Sequence, residues 1–509
     1  MIAKNFERSF SVAKNIKIIG AGISGLCAGC YLQMNGYDTE IFEMNSVPGG
    51  LCTSWERKGY TIDGCIHWLV GSSPSNKLYH LWNELIDMKK LDFVDFKEYL
   101  RVEDRDGQVM RVPTDIDELE QEWLDKAPED KALIMEFTKA VRKFVGFEMP
   151  AKKAPELYSP WDGIKMVFQM LPYWRPFKKW ISISTGDYMK KFKNPLLKNT
   201  LRYMFIPEMS VLFLIFTLAW MHQKSAGYPI GGSLNFARLI EKKYLDSGGK
   251  IHYGSKVEKI ITENDRACGI ELQNKEIHPA DIVISAADGH TTIFNMLKGK
   301  YTDQKIEKDY QNLLTFPSYL QISLGVARTF EDAPHHLYFP LTRPLELGDG
   351  TRHDHIGVRV FNFDPILSPK GKTLLIVLLT TDNHTFWQEL RDKDISAYKA
   401  KKKEIADQVI HSLDQKFGGI RSHLDVTDVS TPATVIRYTN NWKGSFEGWL
   451  LTPETGMKNM KKTLPGLENF YLIGQWVEPG GGVPTALMSG RNVAQIICKK
   501  HKKEFETQT

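Results

Sequence analysis

Residues 15–25, Asn15-Ile-Lys-Ile-Ile-Gly20-Ala-Gly22-Ile-Ser-Gly25, are where the fold is decided. NIKIIG reads as a buried strand, AGISG as a turn, and LCAGCYLQMNG as a helix that Gly36 stops. YDTEIFE follows as a second strand ending on Glu43. A G-x-G-x-x-G that leaves a strand and opens a helix has a physical job at each glycine. Gly20 makes the tight turn, Gly22 leaves room for a pyrophosphate, and Gly25 lets helix and strand approach closely. The helix start supplies free N–H groups and a partial positive charge for the anion. Glu43 stands where a carboxylate accepts from ribose hydroxyls. An acid there disfavours a 2′-phosphate, so the expected nucleotide is FAD or NAD rather than NADP.

Working outward, a second αβ stretch runs from Gly231 to Ala287. LNFARLIEKKYLDSGG is an amphipathic helix closed by Gly248 and Gly249, followed by strand-like KIHYGSKVEKIITE, the turn ENDRA, CGIEL and DIVISAA. A third unit closes the chain, with NFYLIG as a strand and VPTALMSGRNVAQIICKK as a helix. The segments between these units are richer in aromatics, proline and charged helices, and read as a second domain inserted twice. No internal repeat is visible.

The 509 residues suit two domains better than one. A hydrophobic share of 42% and a charged share of 25% indicate an ordinary folded protein. A net charge of +5 over this length does not argue for nucleic acid. The runs Lys401–Lys403 and Lys499–Lys503 read as solvated helix faces or tail. Six scattered cysteines make no disulfide framework, and MIAKNFERSF has no apolar run for a signal peptide, so a reducing cytoplasm is the expected setting. Cys27 and Cys30 form a C-x-x-C inside the first helix, where packing is the expected role. The apolar run Val211–Trp220 is too short to span a bilayer. Residues 160–183 interleave Trp161, Phe168, Leu171, Trp174 and Trp180 with Lys165, Arg175, Lys178 and Lys179. That pattern fits either a helix lying on a lipid surface, as a peripheral contact with the inner face of a membrane, or a helical pair broken at Pro172 that covers a core.

Gly49-Gly50-Leu51, then Asp63-Gly64-Cys-Ile-His67, follow the acid. With them the sequence resembles the flavin amine oxidase and phytoene desaturase superfamily, whose members carry a glycine pair after the ribose-binding acid and a D-x-G-x-H-like stretch beside the flavin ring. Gly474-Gln475-Trp476-Val-Glu478-Pro-Gly480-Gly481-Gly482-Val483-Pro484-Thr485 is similar to that family's carboxy-terminal flavin motif. Pro229-Ile-Gly231-Gly232 and the strand with Val257 extend the match, as do Thr431-Pro432, Gly444 and Gly448. These resemble the subgroup of carotenoid desaturases, carotene isomerases and retinol saturases, and DGCIHWLVG sits nearest the retinol saturase pattern. Gln475, Trp476 and Glu478 depart from the carotenoid enzymes, which leaves substrate choice open.

The resemblance implies an α/β fold: a Rossmann-like FAD-binding domain (14–90, 225–300 and 426–505) with an inserted α+β substrate domain (91–224 and 301–425). It implies non-covalent FAD held by Gly20, Gly22, Gly25, Glu43, Gly49, Gly50, Leu51, Val257, Gly474, Gln475, Gly482, Val483, Pro484 and Thr485. His67 and Glu478 are the acid–base candidates. The implied function is FAD-dependent oxidation, reduction or isomerisation at carbon–carbon bonds of a lipophilic isoprenoid or polyene. The alternatives are an amine oxidase-like enzyme, with Trp68 and Trp476 caging an amine, and a flavin-binding protein without turnover. No second glycine fingerprint offers an NAD(P)H domain, so an external electron donor or acceptor is implied. The histidines 335, 336, 353 and 355 read as loop residues, and no metal is expected.

Overall fold

In the computed structural model, described for residues 14–148, 150–456, 458 and 460–507, the three glycine-punctuated units converge on one parallel sheet. The amino-terminal stretch read above for a signal peptide lies outside the described residues. Across the sheet the strands run Lys250–His252, Asp38–Phe42, Asn15–Ile19, Ile282–Ser285 and Phe470–Leu472, all parallel. In chain order this is 3-2-1-4-5. The direction of winding reverses beside Asn15–Ile19, and the crevice for a ligand lies past the carboxyl ends of the strands at that point. The α/β architecture expected from the glycine motifs is therefore the observed one.

The helix Ile23–Met34 is buried over its first ten residues, because it is sandwiched between the sheet and the helices Gly232–Asp246 and Gly482–Lys500. Close approach is possible only where side chains are missing. A Cβ on Gly25 would lie 2.0 Å from the Gly20 carbonyl oxygen, and one on Gly490 would lie 2.7 Å from both Ala28 N and Ser24 O. Cys27 and Cys30 are buried, unbridged thiols whose pKa values burial pushes up, so they pack and do not react.

Two expectations are corrected. KIHYGSKVEKIITE is two strands: Lys250–His252 joins the parallel sheet, and Val257–Glu263 turns away after Gly254 into an antiparallel meander with Arg266–Leu272 and Ile277–Pro279. The strand Leu424–Ser430 pairs with Ser318–Val326, so the chain leaves the second sheet later than residue 426.

That second sheet has seven strands, with Glu98–Glu103 and Val109–Pro113 from one inserted segment beside strands of the other. Helices between residues 116 and 222 form an aromatic-rich layer, and Val211–His222 lies in its core. The helix Ile395–Phe417 covers the other face. No helix among the described residues is long and apolar enough to cross a membrane. Residues 160–183 form two helices, Pro160–Met170 and Trp174–Ile181, broken around Pro172. Trp180, Phe177 and Tyr173 pack inward, whereas Trp161 (78% exposed), Phe168 (70%) and Leu171 (66%) face outward.

Gly25→Ala should lower unfolding stability by about 3 kcal/mol, because the added methyl meets backbone and cannot be absorbed by a rotamer change. A urea midpoint equal to that of the unaltered protein would contradict this packing.

Candidate cofactor cleft

The cleft opens where the strands end. Its walls include Ile19-Gly20, Phe42-Glu43, Ala286-Ala287 and Ile473-Gly474, each the continuation of a strand of the parallel sheet, and it leaves about 200 Å³ for water-sized molecules. Glu43, buried at the floor, accepts from Ala21 N at 2.8 Å through Oε2 and from Asn45 N at 2.9 Å through Oε1. Its carboxylate ties the first glycine turn to the segment that carries the second. Gly49 N then donates to Ala21 O at 2.9 Å, and Gly22 and Gly49 pair as a bridge. Gly49 has φ +107°, and a Cβ there would lie 2.1 Å from the Cys52 carbonyl oxygen, so this loop requires glycine.

The helix Ile23–Met34 starts on Gly22 with no capping side chain, and Gly22, Ile23 and Ser24 line the cleft. The helix Gly482–Lys500 likewise starts on Gly481 without a side-chain cap, and Gly482 and Val483 line it. Two uncapped helix starts therefore direct N–H groups and partial positive charge into one space, a donor set suited to a pyrophosphate and to an electron-rich ring edge. The glycine walls leave room for a flat ring and a diphosphate that side chains would fill. These features fit FAD.

Of the expected cofactor residues, Gly20, Gly22, Glu43, Gly49, Gly50, Leu51, Val257, Gly474, Gln475, Gly482 and Val483 meet in this cleft. Gly25 packs behind it, and Pro484 and Thr485 stand in the first turn of the last helix outside the lining. The Thr485 hydroxyl is taken by the carbonyls of Gly481 and Gly482.

The two acid–base candidates lie outside the lining. Glu478 pairs with Lys462 at 2.7 Å, and Lys462, nearly fully buried, also holds Glu156 at 2.9 Å. Burial raises the Glu478 pKa with Lys462 opposing the shift, and its carboxyl stands outside the cleft lining. His67 is half-buried, and burial together with the nearby Arg359 cation holds its imidazole well below the usual histidine range. It is neutral at pH 7. Asp63 of the same loop accepts from Ser54 Oγ at 2.9 Å and Ser233 N at 2.7 Å, and Gln321 Nε2 donates to its carbonyl at 3.0 Å. The stretch Asp63–His67 is thereby pinned between the helix Gly232–Asp246 and the seven-stranded sheet.

Two acids that sequence reasoning missed do line the cleft. Asp288 accepts from Thr291 N at 2.7 Å and Trp442 N at 2.8 Å, and burial pushes its pKa up to about 6. Glu447 lies against the Gly481 backbone, where a Cβ would come within 2.9 Å of its Oε2, and burial pushes its pKa up to about 8. Glu447 is protonated at pH 7 and can donate a hydrogen bond. Its only sequence signal is the Gly444–Gly448 frame around it.

Trp476 packs with Trp449, Trp442 and Tyr310, and its indole N–H donates to Asn441 Oδ1 at 3.2 Å. Trp68 instead lies edge-on to Tyr99 at 5.6 Å. Because the two belong to separate clusters, they do not make the facing pair an amine cage needs. The seven-stranded sheet presents His336 directly across from Arg359, Tyr338 stacks on Tyr203 at 4.7 Å, and His335 stacks on Phe96 at 3.8 Å. Among the described residues no group of three or more His, Cys, Asp or Glu could hold a metal ion.

Because the native carboxyl of Glu447 holds its proton up to about pH 8 while the unfolded one loses it near pH 4.5, folding stability should fall as pH rises through that window. Glu447→Gln should flatten this part of the profile; urea midpoints between pH 5 and pH 9 that keep their slope in the variant would refute the assignment.

A model of the flavin containing amine oxidoreductases matches residues 23–498. A chloroplastic prolycopene isomerase of Daucus carota is 26% identical, with 94% of this chain and 79% of that protein covered. A 4,4'-diapophytoene desaturase (4,4'-diapolycopene-forming) of Methylomonas sp is also 26% identical, with 97% of each covered. Among solved structures, an oxidoreductase from Methanosarcina mazei shares the fold with a TM-score of 0.59 at 18% identity, covering 94% of this chain and 99% of that one. With the family model spanning nearly the whole described chain and the cleft built as a dinucleotide site, the chain belongs to the flavin containing amine oxidoreductase family, as an FAD-dependent enzyme.

Proposed function

We propose that this enzyme oxidises, reduces or isomerises carbon–carbon bonds of a lipophilic isoprenoid or polyene. The observation that carries the reading is the aromatic packing along the seven-stranded sheet, where Tyr338 stacks on Tyr203 and Trp68, the neighbour of His67, meets Tyr99 edge-on, just beyond the loop whose Cys65 lines the cofactor cleft. An isoprenoid chain needs such an apolar, ring-lined surface. The names of the relatives, isomerases and desaturases of carotenoids, favour it over amines.

Bound FAD supplies two-electron chemistry at the substrate's carbon atoms. The chain does the rest. Glu43 would orient the ribose, the starts of the helices Ile23–Met34 and Gly482–Lys500 would offset the negative charge of the pyrophosphate and the ring, and Leu51, Val257 and Gln475 would close the walls. His67, held neutral, would accept or donate a hydrogen bond on the substrate side, and Glu447, which lines the cleft, would offer a carboxyl proton there. Glu478 acts as a positioning residue for the glycine run. Residues 14–90 and 225–300 with the closing segment form the FAD-binding body, and residues 91–224 with the long insert form the substrate body.

The exposed apolar face of the two helices between Pro160 and Ile181, flanked by the exposed cations Lys165, Arg175 and Lys178, supports contact with an anionic membrane surface. A lipid-dissolved substrate would enter from there, and the protein would stand at the cytoplasmic face of that membrane. An external carrier exchanges electrons with the flavin.

Two experiments test the reading. Oxidised and photoreduced enzyme, mixed anaerobically with a panel of carotenoids and retinoids, should show one flavin form consumed or one polyene spectrum shifted; colourless protein that releases no flavin on heating would sink it, and peroxide formed from amines would favour the amine oxidase. Trp161→Ser/Phe168→Ser/Leu171→Ser should reduce co-sedimentation with phosphatidylglycerol vesicles at least tenfold at unchanged flavin content, and equal binding would remove the membrane contact.

A further inference from the structure

A second cavity adjoins the cofactor cleft and shares Asn45, Gly50, Leu51, Tyr438 and Thr439 with it. It leaves about 490 Å³ for water-sized molecules, within the range of small-molecule sites. Its inner wall carries Gly64 and Tyr319, whose hydroxyl donates to the Gly64 carbonyl at 3.4 Å, so the cavity ends on the loop that leads to His67. Its outer wall is formed by the start of the helix Ile395–Phe417 and the end of the helix Pro432–Thr439.

The walls are strongly cationic. Arg57, Arg391, Lys399, Lys402 and Arg437 line the cavity against one carboxylate, Asp428, among the described residues. Asp428 is already engaged by Arg57 at 2.9 Å, and Arg391 by Asp392 at 2.9 Å. No carboxylate lies within 4.0 Å of Lys399, Lys402 or Arg437 among the described residues; Lys402 and Arg437 lean instead on the rings of Tyr398 and Tyr438. Like charges converging on one hollow repel each other, and a ligand bearing several negative charges relieves that cost. Trp55, Tyr319 and Tyr438 add flat aromatic surface to the same walls.

We propose that this cavity docks a reduced nicotinamide dinucleotide, with its phosphates against Lys399, Lys402 and Arg437 and its ring directed inward past Leu51 toward the flavin cleft. The proposal rests on the flavoenzyme reading and supplies its electron donor. It needs no second glycine fingerprint, because side-chain cations take the place of a helix start as the phosphate anchor. The dihydronicotinamide loses a hydride and leaves as a pyridinium; that hydride and one proton from the medium are taken up by the oxidised flavin. An enzyme charged in this way runs saturation or isomerisation in preference to desaturation.

The test uses the FAD-loaded enzyme. Titration calorimetry with NADPH, NADH, NADP⁺ and inorganic pyrophosphate would be combined with anaerobic stopped-flow recording of flavin absorbance. NADPH or NADH should bind more tightly than pyrophosphate, bleach the flavin, and weaken as salt is raised. Lys399→Glu/Lys402→Glu should raise the Kd at least tenfold while dithionite still bleaches the same flavin band, and Arg437→Gln should raise it severalfold. Yellow enzyme that dithionite bleaches but neither dinucleotide binds or reduces overturns this proposal alone. Binding undiminished in both variants, or pyrophosphate binding as tightly as either dinucleotide without bleaching, overturns it as well. Colourless enzyme takes the flavoenzyme reading down with it.

Discussion

Backbone lies directly on backbone at the first glycine turn, and the rest of the molecule is arranged around that contact. The Cβ that Gly25 lacks would sit 2.0 Å from the carbonyl oxygen of Gly20, so the helix Ile23–Met34 can leave the strand Asn15–Ile19 at this angle only with glycine there. The angle fixes where the helix start points. Glu43 then locks the neighbouring strand to the same turn through Ala21 N, and Gly49 docks on Ala21 O. Each later piece of the cleft is positioned against this corner, including Gly474, whose missing Cβ would come 3.2 Å from Ser24 Oγ.

Burial around the corner decides the chemistry of the acids near it. Burial raises the pKa of all three: of Glu478 despite its pairing with the buried Lys462, of Glu447 to about 8, and of Asp288 to about 6 although two backbone N–H groups donate to it. His67, beside the Arg359 cation, is kept neutral. The cleft thus combines the carboxyl of Glu447, whose pKa burial raises to about 8, with two positive helix ends, a setting that favours negative charge on a bound ring.

The loop Asp63–His67 is the point where the two sheets meet, fastened by Ser54, Ser233 and Gln321. The cationic cavity lies along the same seam, between the second glycine turn and the helices of residues 384–439. Apolar helices on the far layer and cations beside the second glycine turn give the molecule two chemically distinct approaches.

Local sequence alone determined the parallel αβ core, the two glycine turns and the place of Glu43 at the end of the second strand, because a tight turn, a close helix–strand contact and a buried carboxylate each demand particular residues within a few positions of one another. It also determined the helix break at Pro172 and the packing role of Cys27 and Cys30. Only the tertiary structure decided what depends on residues far apart in the chain: that the buried Lys462 joins Glu156 to Glu478, that Glu447 and Asp288 come to the cleft, that Leu424–Ser430 stays with the second sheet, and that Arg57, Lys399 and Arg437 share one cavity. Proton affinity and charge pairing are set by burial and by neighbours across the fold, and a linear pattern carries neither.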